Sequence, residues 1–238
     1  MRNDIIALIL GTLVSFPLGL AIGVPWFLPV LNAVPAYVLL VHRLHKGERG
    51  GAVRTAIWWA AALAISGTAC LVLWPAPTDT LVLNGPEYQK EMLDWIATGK
   101  GTEGSLSLSF THQLLQIGIF VALSLATAGS LSVVMGAVLL NDVSFYVAGL
   151  ANGGTPAWAV VLLGWTPWTI ARMAALCILG VVLAEPLMCR LFPTARRRLK
   201  VIGRMPYYMA GISGIVMAWI LQASLGPLWR AWLRVLQP

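Results

Sequence analysis

Four ionisable side chains stand inside or at the edge of long apolar stretches: His112, Asp142, Arg172 and Glu185. In hydrocarbon such a group costs a few kcal/mol or more, so each is a candidate for binding a proton, a cation or a polar solute. Each also has a purely structural explanation. Glu185 is the deepest, and Pro186 after it frees a backbone carbonyl nearby; a structural carboxylate there is expected to pair with Arg190 or with a cytoplasmic-loop arginine near the boundary. Asp142 follows Asn141 in an otherwise apolar tract and can cap a helix. Arg172 lies about one turn inside its stretch and can snorkel to water. His112 opens its stretch, where an imidazole stays hydrated.

These residues form no known catalytic set. The chain has no H-E-x-x-H, no G-x-S-x-G, no Walker loop and no paired-carboxylate signature. Three histidines without recurrent His/Glu spacing argue against a metal site. Cys70, Cys177 and Cys189 show no C-x-x-C or ligand spacing, which leaves them as small packing residues. No catalytic residue, metal or cofactor is expected.

The elements that must hold these residues are membrane helices. Of 238 residues, 58% are hydrophobic and 11% charged, whereas soluble domains carry about 25% charged residues. The deficit excludes a soluble core. The net charge of +7 does not point to nucleic acid, because the basic residues cluster in short loops between apolar runs. A bilayer core about 30 Å thick needs some 20 apolar residues per crossing. On that measure the chain is all-α, one polytopic membrane domain (1–238) of about seven spans. Three are expected over 4–22, 26–41 and 55–74, two within 110–165, and the last two over 167–188 and 207–225. The first run is read as a retained span, since Asp4 spoils a signal-peptide n-region.

Charge sets the expected orientation. The basic stretches 42–54 and 193–204 belong on the cytoplasmic side. Residues 75–110 hold five acids against Lys90 and Lys100 alone and belong outside, in an extracytoplasmic loop. This puts the N-terminus inside and the C-terminus outside. Within that loop, 86–97 (PEYQKEMLDWIA) predicts a short amphipathic helix, its apolar face made by Tyr88, Met92 and Trp95, resting on the membrane–water boundary. Asn141-Asp142 is expected to break the long tract near the cytoplasmic face, unless it forms a buried re-entrant hairpin. Trp26, Trp74, Trp165 and Trp168 suit an aromatic belt at the outer face. The tail 227–238, with Trp229 and Trp232 beside Arg230 and Arg234, predicts a separate interfacial helix.

Small residues recur every fourth position: Gly11, Ser15, Gly19 and Gly23; Ser124, Ala128, Ser132 and Gly136; Ala210, Gly214 and Ala218. On a helix each set lines one face and admits a close neighbour, which is what drives association in lipid.

The stretch 87–190 resembles the stage II sporulation protein M family of membrane proteins. EYQKEMLDWI is followed by SFTHQLLQIGIF, then LLNDVSFYVAGLANG, then WTPWTIARMAALCILGVVLAE. The resemblance implies a scaffold-type membrane subunit and carries no catalytic residue. Taken together, the expectation is a non-catalytic integral subunit of a larger membrane assembly, in a cell membrane, most simply a bacterial inner membrane. Its partners would be lipid and either other membrane subunits or further copies of itself. The alternative is a small-solute or ion channel or transporter, with Glu185 and Asp142 on its pathway. A membrane-embedded enzyme would need polar residues from several spans to converge.

Overall fold

The computed structural model describes residues 2–74, 80–101, 106–154, 156–199 and 201–236. Among them there are ten α-helices, one 3-10 turn and no strand. Seven helices are long and apolar enough to cross a membrane: α1 (Arg2–Ile22), α2 (Phe27–His45), α3 (Arg49–Leu73), α5 (Leu106–Ala126), α6 (Ser130–Asn152), α8 (Pro167–Leu191) and α10 (Met205–Leu236). This is the architecture of a multi-pass membrane protein. Three short helices join them: α4 (Gly85–Thr98), α7 (Ala157–Gly164) and α9 (Pro193–Arg198).

The central element is α6. Every residue from Leu140 to Ala148 is buried, so this helix is enclosed on all sides. It packs against α2, α3, α4, α5 and α7, while α8 packs against α3, α5 and α10. Helices α1, α2 and α3 pack on one another. The small-residue faces make these approaches possible. A Cβ on Gly11 would lie 3.3 Å from Pro35, and one on Gly19 would lie 2.7 Å from Leu28 Cδ1. Ser15 Oγ bonds Asn32 at 3.0 Å. Ser124, Ala128 and Ser132 are buried, Gly136 faces Trp59, and Gly214 abuts Ala175. Gly23 lies in the α1–α2 turn with positive φ and meets nothing within 4 Å. The three cysteines are free and half-buried.

Several expected boundaries move. Helix α6 runs unbroken through Asn141-Asp142, and the turn between the two spans falls at Thr127–Gly129 instead. Gly129 takes φ +86° there, and a Cβ would come 2.9 Å from Ala184, so glycine answers two demands at once. The Asn141-Asp142 pair reads locally as a break but finds tertiary partners, described below. The tract also contains α7, which returns beside the end of α6, with Gly164 against Val147. That is a folding-back after Asn152, not a hairpin at Asn141.

The amphipathic helix is present as α4, capped by Gly99 at φ +76°. Its apolar face turns into the bundle, while Glu87, Lys90 and Asp94 stay exposed on the other. Met92, Trp95 and Ile96 are buried in a cluster with Val143, Tyr146, Val147 and Trp168. Trp168 is fully buried and stacks edge-on with Trp95 and Trp229, so it is a core residue and not part of a belt. Trp26 and Trp74 are exposed, as a belt position requires. The tail forms no separate helix: α10 continues through Pro227 to Leu236. Carbonyls of α7 and α4 accept hydrogen bonds from this end of α10: Trp229 Nε1 donates to Leu163 O at 2.7 Å and Arg230 Nε to Ile96 O at 3.0 Å.

Candidate functional site

Three of the four intramembrane ionisable residues meet in one place. Asp142 from α6, His112 from α5 and Arg172 from α8 line a single polar cavity of about 400 Å³. The α4 wall adds Asn84, Glu87, Tyr88 and Glu91, and α5 adds Ser109, Gln113 and Gln116. Asp142 stands twelve residues from the start of α6 and ten from its end, so it sits at about 18 Å along the helix, half its length. It therefore lies at the middle of the helix, not at its end. Its side chain is buried, at 5% exposure. Asn84 hydrogen-bonds the carboxyl through both its side chain and its backbone N–H. Asp142 Oδ1 is buried without a partner.

Two amide-centred networks fix the walls. In the first, Gln113 Nε2 donates to Ser109 Oγ at 2.7 Å and to Gln222 Oε1 at 3.1 Å. Gln222 Nε2 donates to Ser109 Oγ at 2.8 Å, and Trp219 Nε1 to Gln113 Oε1 at 2.5 Å. Arg172 Nη2 completes it by donating to Gln222 Oε1 at 3.0 Å. The network ties α5, α8 and α10 together and holds Arg172 toward the cavity. Arg172 thus has an interior role and does not simply reach for water. In the second, Asn32 Nδ2 donates to Asn141 Oδ1 at 3.2 Å, and Trp59 Nε1 donates to the Asn32 carbonyl at 2.8 Å. Adjacent residues on a helix point about 100° apart. Asn141 accordingly joins α6 to the α1–α2–α3 group while Asp142 turns to the cavity. Asn32, Gln113 and Gln222 escaped the charge-based search. Their signal was uncharged amides within apolar spans, which must be paired to stay there.

Beyond the cavity the same axis continues. Met173 also lines a second, apolar void of about 40 Å³ bounded by Trp59, Phe120, Gly136, Cys177 and Gly180. At the far end stands the fourth residue, Glu185, fully buried. Its partner is not Arg190. Arg49 holds it through Nε at 2.5 Å and Nη2 at 2.8 Å, and Arg204 Nε donates at 2.8 Å. One carboxylate thereby clamps α3, α8 and the 3-10 turn Val201–Arg204 that leads into α10. Beside it Arg43 bonds both Asp4 and Glu48, tying α1 to α2. The Arg43 hydrogen bond holds the Glu48 carboxyl below its ordinary value. This end of the bundle is the basic end; the α4 end is opposite.

Among the described residues no three of His, Cys, Asp and Glu come together as a metal-ligand set. The arrangement is that of a polar cleft with charged and amide walls, separated by apolar packing from an ion cluster at the other end. Set against protein-family models, curated proteins and solved structures, the chain matches none of them.

Proposed function

We propose that the chain is a small-solute transporter, with the cavity at Asp142 as its solute site. The cavity carries this proposal. A polar cleft of about 400 Å³ has Asp142, half-way along α6, and Arg172 of α8 among its lining residues. In a span that only had to pack, such residues would be replaced, because a charged side chain in the membrane interior is costly. The apolar void beyond Met173 and the Glu185 cluster suit a closed remainder of the pathway. The basic end is assigned to the cytoplasm by its arginines and the α4 end to the outside. The N-terminus is then inside, the C-terminus outside, and the cavity faces outward. A bacterial inner membrane is the setting that fits this charge pattern.

The competing role of a non-catalytic subunit in a larger assembly, which the sporulation-family resemblance implies, drew its support from the small-residue faces. Those faces pack largely within the chain: Gly11 and Gly19 on α2, Gly136 on Trp59, Gly214 on Ala175.

Uptake by proteoliposomes tests the proposal. The purified chain, reconstituted and exposed to a mixture of polar metabolites, is expected to accumulate at least one solute above empty liposomes. Asp142→Asn should abolish the accumulation without loss of folded protein. No uptake of any solute, together with stoichiometric co-purification of other membrane proteins in mild detergent, would establish the subunit role instead. Orientation is checked separately in a cysteine-free background. Both Lys100 and Lys46 are exposed. An impermeant thiol reagent on intact cells should label Lys100→Cys and spare Lys46→Cys.

A further inference from the structure

The basic end carries more positive charge than its own carboxylates can meet. Residues 186–204 hold six basic residues and no acid. The carboxylates on the described residues of this end are Asp4, Glu48 and Glu185. Each is held by an arginine that is largely buried: Arg43 for the first two, Arg49 and Arg204 for the third. Lys46 and Arg190 are exposed. Beside them stands α9, which includes Arg196, Arg197 and Arg198. The fold fixes this helix in place. Ala195 and Leu199 are buried in one cluster with Leu40, Leu44 and Met188. Thr194 Oγ1 lies 3.2 Å from the His45 ring, and Phe192 meets the same ring edge-on. The end of α2 and α9 therefore share one surface. Orientation in a membrane asks only that a loop be positive; here the charge is carried on a docked helix at a set position.

From this placement we infer that the basic end binds the headgroups of anionic phospholipids. The neighbours of α9 say why the partner is lipid and not an acidic protein. Helix α8 ends on Leu191 and α10 opens on Met205, and both side chains are exposed and apolar. They stand at the ends of helices long and apolar enough to cross a membrane, so the cations between them fall where hydrocarbon gives way to headgroups. An acidic soluble partner would answer the charge and leave Leu191 and Met205 uncovered. A lipid answers both, with its phosphate on the cations and its chain along the apolar side chains. Each Lys or Arg near an anionic surface strengthens binding by about fivefold. The inference is independent of what the cavity binds.

The test titrates the purified full chain in mild detergent with dioleoylphosphatidylglycerol, which is anionic, or with dioleoylphosphatidylcholine, which is zwitterionic. Native mass spectrometry counts the retained lipid, and melting is followed alongside. The anionic lipid is expected to bind about tenfold or more tighter. The preference should shrink at about 1 M salt, where charges are screened within about 3 Å. Arg190→Gln, Arg196→Gln, Arg197→Gln and Arg198→Gln combined should bring the anionic lipid down to the level of the zwitterionic one. Lysine at the same four positions keeps the charge and should keep the preference. Lys100→Gln with Arg234→Gln, both exposed at the opposite end, should leave it unchanged. Equal binding of the two lipids by the parent would overturn the inference. So would a preference that survives in the glutamine variant, or one lost from a natively melting lysine variant or from the opposite-end control. If the fourfold glutamine variant does not fold, Arg190→Gln and Arg197→Gln made singly should each weaken the anionic lipid by about fivefold, and no change in either would overturn the inference equally. Poly-glutamate bound by a chain that retains neither lipid would replace the lipid with an acidic protein partner.

Discussion

Replacing Glu185 by glutamine removes one charge from a site with no access to water. Glu185 accepts three charge-assisted hydrogen bonds, two from Arg49 and one from Arg204. Glutamine keeps the shape but can satisfy only part of that donor set, and it removes the carboxylate charge that Arg49 and Arg204 share. Arg49 is itself buried and stacks over Tyr207, so it has little freedom to reach solvent. A water-accessible pair near the boundary, the situation expected with Arg190, would contribute only about 0–1 kcal/mol. Removing one member of a buried pair costs about 3–5 kcal/mol, because the orphaned charge stays behind. For a chain of 238 residues this corresponds to a melting point lower by about 10 °C. Thermal unfolding in a fixed mild detergent, followed by tryptophan fluorescence, measures it. Arg190→Ala is the control and should melt with the parent, because Arg190 is not in the cluster. If Glu185→Gln also melts within about 2 °C of the parent, the site is open to water and the buried-pair account is wrong.

Two further outcomes follow from packing and from charge. Gly19→Leu should lower the melting point in detergent, and Gly19→Ala should already cost part of that loss. A Cβ at Gly19 meets Leu28 at 2.7 Å on Cδ1 and 3.1 Å on the backbone Cα, so even alanine forces α1 from α2; overpacking of this sort costs about 1–3 kcal/mol. Equal melting of parent and leucine variant would mean that α1 does not seat there. The Glu48 carboxyl is held below its ordinary 4.5, first by the Arg43 hydrogen bond. A lowered carboxylate contributes stability above its unfolded value and loses it as pH falls through the folded one. Glu48→Gln should therefore be less stable than the parent at pH 7, and the two should converge as the pH falls below the ordinary 4.5 and through the lowered value. A difference that is the same at both pH values would show that Glu48 acts through shape and not charge.

What the amino-acid order determines here is whatever is local. Seven runs long enough for a 30 Å hydrocarbon layer are a property of consecutive residues, and all seven appear as helices. The α4 helix was legible for the same reason, from proline at its first turn and apolar residues at helical spacing. The every-fourth-residue small faces were legible as contacts, since periodicity states which residues share a face. What periodicity cannot state is which helix arrives on that face. For Glu185 the sequence offers Arg190, five residues away, or any arginine of the basic loops, and only the bundle selects Arg49, 136 residues off, and Arg204. Asn141-Asp142 looked like a turn because two polar residues in an apolar run have nowhere local to go. The bundle supplies Asn32 for one and Asn84 for the other, and the helix continues. Pro227 and the tryptophan-arginine pairs looked like a new interfacial helix, but Leu163 and Ile96 offer carbonyls that carry α10 through. The cavity itself is the clearest case. His112, Asp142 and Arg172 sit on three different helices, and Gln113 and Gln222, 109 residues apart, orient one of them. In a membrane every polar group must be satisfied from within the protein or by water it admits. That requirement is settled by helix-on-helix arrangement, so only the tertiary structure decided which polar residues are merely paired and which come together around one cavity.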